Sequence, residues 1–238
     1  MDSLDDFMQT RPPTMARPLL GLTVLVVEDS RFASEAMRLL CLRSGARIRR
    51  ADCLHHAHRH LRVYRPSVVI VDIGLPDGSG LDLIRDLVAA TPRVDVLLGT
   101  SADPDGEAQA IKAGADGFLA KPLTNIGYFQ SAILAHLPQD RQPTGLRVLS
   151  DDAVEPDAVA LRDDLAAAAI ALEDAGDSRT IRYLTQFLGG VARSVQDTPL
   201  AKAVEELAHL QTSGKSMHSQ LARVARMVQD RIARVPAI

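Results

Sequence analysis

The chain has 238 residues, 46% hydrophobic and only 3% aromatic with no tryptophan, so its length divides naturally into two domains packed by aliphatic side chains. A formal net charge of -3 supplies no overall attraction to nucleic acid or acidic membrane, and the two cysteines, Cys41 and Cys53, form neither a disulfide framework nor a zinc-type spacing. No apolar stretch reaches the roughly 18 to 20 residues of a membrane-spanning helix, so a soluble, cytoplasmic protein is expected.

In chain order, residues 1–20 read as a flexible tail, acidic first and proline-containing later, in which Leu4, Phe7 and Met8 could form one helical turn. From Leu22 short β-branched runs alternate with helical patterns, the mark of a parallel sheet built from βα units. The runs are 22–27, 46–50, 68–71, 94–98 and 117–120. The first, third and fourth are nearly continuous in apolar residues, as buried central strands are, whereas Arg47, Arg49 and Arg50 mark the second as an edge. Helical spacing of apolar residues predicts helices over 32–42, 54–64, 81–90, 107–113 and 126–137, with Gly45 and Gly114 at helix ends. This first domain spans 21–138.

Residues 139–157 read as a linker, polar with turn formers at first, then the short apolar patch Leu146 to Leu149. Residues 158–238 show no strand pattern. Helices are predicted over 158–175, 179–195, 200–210 and 216–235, punctuated by Gly176, Asp177, Asp197, Pro199 and Gly214, which makes a smaller all-α bundle.

In an open parallel sheet, ligands bind beyond the carboxyl ends of the strands. Those ends carry Glu28 and Asp29, then Asp72, then Thr100 and Ser101, and last Lys121 followed by Pro122. Three carboxylates converging there repel unless a cation or a proton lies among them, and oxygen ligands of this kind suit magnesium. A carboxylate is a competent nucleophile toward phosphorus once the surrounding negative charge is neutralised, and phosphoryl transfer depends mainly on positioning and charge stabilisation. Lys121 and the hydroxyl of Thr100 complete such a set.

The segments Val24 to Ser30 (VLVVEDS), Val69 to Gly80 (VIVDIGLPDGSG) and Gly114 to Pro122 (GADGFLAKP) resemble the receiver domains of bacterial two-component response regulators. The resemblance covers about 21–137. It implies a doubly wound, five-stranded, flavodoxin-like α/β domain in which Asp72 is the phosphoacceptor. It also implies that Asp29, Glu28 through water, and the backbone carbonyl of Gly74 join Asp72 in holding Mg2+. Thr100 and Lys121 match the family's hydroxyl and lysine, Phe118 the aromatic switch that turns inward when Thr100 moves, and Lys121-Pro122 a cis peptide bond. Ser101 offers a second hydroxyl, with Thr100 preferred. The implied partner is a sensor histidine kinase or a phosphotransfer protein, and the chain is expected to be a phosphoacceptor and not an enzyme. Gly74 and Ala102, which flank the acceptor in the family, have no side chain able to orient a water.

Two further features stand out. Cys53, His56 and His60 share one face of the predicted 54–64 helix and form a candidate transition-metal set, although a solvated face is preferred. The C-terminal bundle is read as a protein interaction module with an unknown protein target, its spare apolar surface offering a homodimer face. Two alternatives stay open. Arg223, Arg226, Arg231 and Arg234 along the last helix would serve a DNA-binding regulator, and His209 or His218 would serve a histidine-containing phosphotransfer bundle.

Overall fold

The computed structural model describes residues 12–144, 150–174, 177–213 and 215–234. Its N-terminal half is a sheet of β1 (Thr23–Val27), β2 (Arg47–Ala51), β3 (Val68–Asp72), β6 (Val96–Ser101) and β7 (Gly117–Ala120), all parallel, in the order β2-β1-β3-β6-β7. A small antiparallel hairpin, β4 (Gly74–Leu75) with β5 (Gly78–Ser79), follows β3. The helices are α1 (Arg31–Ser44), α2 (Leu54–Val63), α3 (Gly80–Ala89), α4 (Gly106–Ala113) and α5 (Ile126–Leu134).

Side chains alternate across a strand, so the sheet has two faces and builds two cores. Val24, Val26 and Ile70 pack with Met37 and Leu40 of α1 and Phe129 and Ile133 of α5. Leu25, Val69 and Val71 pack on the other face with Ala57 of α2, Leu83 and Ile84 of α3, and Ala110 of α4. Every residue of β3 is buried, whereas in β2 only Ala51 is, which makes β2 a charged edge.

β6 runs to Ser101, beyond the apolar run that predicted it. Its extent is set by pairing on both sides, to Asp72↔Thr100 on β3 and Ser101↔Ala120 on β7, and hydropathy does not register those bonds. Gly99 lets α4 approach, because a Cβ there would lie 2.5 Å from Ala110 Cβ.

The flexible tail does not extend to residue 20. Leu19 is fully buried in the α1/α5 core and its N–H donates to Ser44 O at 3.0 Å, so apolar burial anchors the chain before β1. Residues 1–11, with Leu4, Phe7 and Met8, lie outside the described residues, as do Leu146 to Leu149, Gly176 and Gly214. The second half of the linker docks on the first domain. Ile126 and Gly127, whose N–H groups open α5 and lack intrahelical partners, donate to Asp152 O and Ser150 O, while Val154 is buried among Leu123 and Ile126.

The remaining chain forms α6 (Ala158–Glu173), α7 (Ser178–Ser194), α8 (Thr198–Thr212) and α9 (His218–Arg234). Each helix packs on two others, α6 on α7 and α9, and α8 on α7 and α9, around Leu165, Leu184, Leu188, Val204, Leu207 and Val224. Asp157, Asp177 and Asp197 are the N-caps of α6, α7 and α8, each side chain accepting a first-turn N–H. No helix among the described residues is long and apolar enough to cross a membrane.

Candidate functional site

The parallel register brings Glu28 and Asp29 after β1, Asp72 at the end of β3 and Lys121 after β7 into one pocket. Ligand oxygens of Glu28, Asp29 and Asp72 lie within 4.8 Å of one another. Lys121 Nζ bridges two of them, 2.6 Å from Asp72 Oδ2 and 2.6 Å from Glu28 Oε2. The other Asp72 oxygen accepts the Gly74 N–H at 3.1 Å. Gly80 lets α3 begin against the back of this strand end, since a Cβ there would collide with the Asp72 backbone carbonyl.

Burial lifts the Glu28 carboxyl well above the ordinary range, and the charges of Asp72 and Asp29 add to this while Lys121 opposes it. Asp29 is raised to about 7, by burial first and then by Asp72. Burial works against a charged Lys121, yet Asp72 and Glu28 together outweigh it, and the ammonium is held more firmly than usual. Three carboxylates thus face one lysine, and burial together with mutual repulsion favours the neutral forms of Glu28 and Asp29. Glu28 Oε2, close to the ammonium, is buried without a well-aligned hydrogen bond. An all-oxygen donor set of three carboxylates, with a buried oxygen lacking a hydrogen bond, fits a hard divalent cation.

The switch residues are arranged differently from the pairing the resemblance implies. The Thr100 hydroxyl, fully buried, donates to Leu119 O at 2.7 Å, and it is Ser101 that lines the cleft beside Asp72. The Phe118 ring meanwhile already packs inward, 3.3 Å from where a Gly99 Cβ would stand and 3.1 Å from where a Gly106 Cβ would stand. Inward packing of Phe118 thus coexists here with a Thr100 held by β7. The Lys121-Pro122 peptide is cis.

Residues 24–131 match the response regulator receiver domain family. This part of the chain is a receiver domain. Over 110 residues the chain is 32% identical to the KDP operon transcriptional regulatory protein KdpE of Escherichia coli (strain K12), covering 46% of this chain and 48% of that protein. It is 35% identical over 104 residues to the probable transcriptional regulatory protein TcrX of Mycobacterium tuberculosis, 43% of this chain and 44% of that one. The chain thus spans about half the length of the curated relatives it matches. A Burkholderia pseudomallei response regulator, whose crystal structure holds a phosphorylated aspartic acid, a calcium ion and citrate, is 30% identical over 47% of this chain and 66% of that chain, with a TM-score of 0.42. The family match does not reach the helical bundle.

Sequence reasoning missed that the bundle docks on the receiver pocket. The Tyr183 hydroxyl of α7 donates to Asp29 Oδ2 at 2.6 Å, across 154 residues of sequence. Asp164 of α6, 2% exposed, accepts Ser30 Oγ at 2.7 Å, Arg31 N at 2.7 Å and Phe32 N at 3.1 Å, and so caps α1 from another domain. Arg31 also pairs with Asp163. The amide of Gln186 fills the space a side chain at position 74 would need, which gives Gly74 a packing reason of its own. Nothing local in the sequence marks Tyr183, Asp164 or Gln186, because each acts through a contact whose partner lies more than a hundred residues away.

Other candidates fare unevenly. The Cys53, His56 and His60 set is not assembled. Cys53 is the extended N-cap of α2, with φ -162 and ψ 166, so helical spacing does not apply from it. His60 Nε2 instead faces Arg50 O at 3.2 Å, and Asp52 joins Cys53 and His56, its Oδ1 2.5 Å from His56 Nδ1. His209 on α8 and His218 at the start of α9 are exposed, and neither lines the cleft at Asp72. Two of the four α9 arginines are ion-paired, Arg223 with Glu206 and Arg231 with Asp197.

Proposed function

We propose that this chain is a two-component response regulator in which Asp72 accepts a phosphoryl group and thereby controls the helical bundle. The observation that carries this reading is the Asp72 carboxylate, fixed by Lys121 Nζ at 2.6 Å and the Gly74 N–H at 3.1 Å, beside two further carboxylates at the ends of parallel strands. Asp72 attacks the phosphorus of a phosphohistidine on a sensor kinase or phosphotransfer protein; the O–P bond forms as the N–P bond breaks, and the imidazole leaves. Lys121 holds the nucleophile in place and then neutralises a phosphoryl oxygen. Asp29, Asp72, the Gly74 carbonyl and, through water, Glu28 would hold Mg2+, which when bound offsets the charge of the carboxylates and of the incoming group.

Thr100 can reach a phosphoryl oxygen only by giving up Leu119 O, so acyl-phosphate formation loosens β7 from β6 at that point. The surface of α4 and α5, with Ile111 47% and Tyr128 46% exposed, would register the change, Tyr128 being tied to Phe118 O. The bundle then acts through protein contacts in the cytoplasm, and the chain is a phosphoacceptor with no other catalysis of its own. A phosphodonor that labels the wild type and not Asp72→Asn supports the assignment, and label retained by Asp72→Asn refutes it. A second reading, DNA binding by the bundle, is favoured by the names of the relatives. It calls for duplex binding that weakens steeply with salt, and the pairing of Arg223 and Arg231 with acids is why protein contacts are preferred.

A further inference from the structure

The bundle lies across the mouth of the receiver pocket. α7 places Tyr183 on Asp29, the Gln186 amide beside Gly74, and Gly190 near Ala102. α6 anchors this arrangement outside the pocket, where Asp164 caps α1 and Asp163 pairs with Arg31. The cleft at Asp72 and Lys121 is lined from the bundle by Gln186, Phe187 and Gly190 of α7. A phosphodonor approaching Asp72 through this cleft therefore meets α7.

We propose that α6 and α7 form a clamp in cis that competes with the divalent cation and the phosphodonor for the pocket, an inference that rests on the assignment of Asp29 and Asp72 above. The Tyr183 hydroxyl engages Asp29 Oδ2, one of the oxygens a cation would use, so closure and cation binding compete. Coupling of this kind is reciprocal: whatever affinity the closed clamp removes from the cation, bound cation removes from the clamp. Opening uncovers Tyr183 and Phe187, whose rings lie 5.9 Å apart on α7. The phosphorylation signal then reaches the bundle through direct loss of its pocket contacts, in addition to any change on the α4 and α5 surface.

The test titrates Mg2+ alone into the full chain by calorimetry, in wild type, Tyr183→Phe and Asp164→Ala, and follows amide exchange of residues 178–194. Loss of one charge-assisted hydrogen bond should tighten Mg2+ binding about tenfold in Tyr183→Phe. Asp164→Ala, which weakens the clamp at the Ser30, Arg31 and Phe32 contacts of α6, should tighten it in the same direction. Mg2+ should also speed exchange along α7 in the wild type. Equal affinities with unchanged exchange overturn the clamp while leaving the Asp72→Asn labelling result untouched. Tightening confined to Tyr183→Phe overturns it as well, because the hydroxyl would then act without any motion of α6. Absence of Mg2+ binding in all three proteins overturns both the clamp and the cation assignment.

Discussion

Replacing Asp164 with alanine removes one carboxylate from the seam between the receiver and the bundle. That carboxylate is 2% exposed and accepts three hydrogen bonds, from Ser30 Oγ, Arg31 N and Phe32 N. Hydrogen bonds to a charged group contribute about 1.5–3 kcal/mol each, but burial raises the Asp164 carboxyl above its usual range and offsets much of that sum. An N-cap alone is worth about 0.5–2 kcal/mol, so the net loss in the docked arrangement should be about 2–3 kcal/mol. The loss has a ceiling. Once α6 lifts away, water reaches the first turn of α1 and satisfies Arg31 N and Phe32 N, so the cost cannot exceed the free energy of docking itself. Ser30 keeps its local role, accepting Ala33 N at 3.0 Å, and α1 should stay helical. Amide exchange at Arg31 and Phe32 should therefore accelerate roughly 30- to 160-fold, following about 2–3 kcal/mol, with a lower urea midpoint for the bundle. Unchanged protection of both amides together with an unchanged midpoint would refute the reasoning.

Gly80→Ala should destabilise the receiver by about 3 kcal/mol, lowering its melting temperature by roughly 10 °C, because the new Cβ meets the Asp72 backbone carbonyl and α3 cannot retreat without leaving the core. A melting temperature equal to that of the wild type would contradict the close approach. Asp197 is held below the usual carboxylate range, by its bond to Arg231 first, with burial opposing. A depressed folded-state pKa contributes stability that is complete above the unfolded value of about 4 and is lost as pH falls through the folded one. Melting curves of wild type and Asp197→Asn should accordingly differ at neutral pH and converge from about pH 5 toward about pH 2; a constant difference across that range would show that the pair contributes nothing.

The sequence alone determined the receiver and its acidic pocket. Parallel strands that alternate with helices deliver their carboxyl ends to one edge, so Glu28, Asp29, Asp72 and Lys121 could be placed together from strand order and residue type, without knowing any distance. The four C-terminal helices were legible for a similar reason, since their apolar periodicity and their Asp caps are local signals. Pairing decided what hydropathy could not, carrying β6 through Gly99 to Ser101, and a hydrogen bond to Leu119 O turned the Thr100 hydroxyl toward β7. Helical spacing misled at Cys53 because that residue is a cap and its backbone is extended. Only the tertiary structure could show that the bundle covers the pocket it was expected to obey. Tyr183 and Asp164 look like ordinary residues of amphipathic helices, and their meaning arises when chain folding brings them to Asp29 and to the open end of α1, across sequence distances at which no periodicity survives.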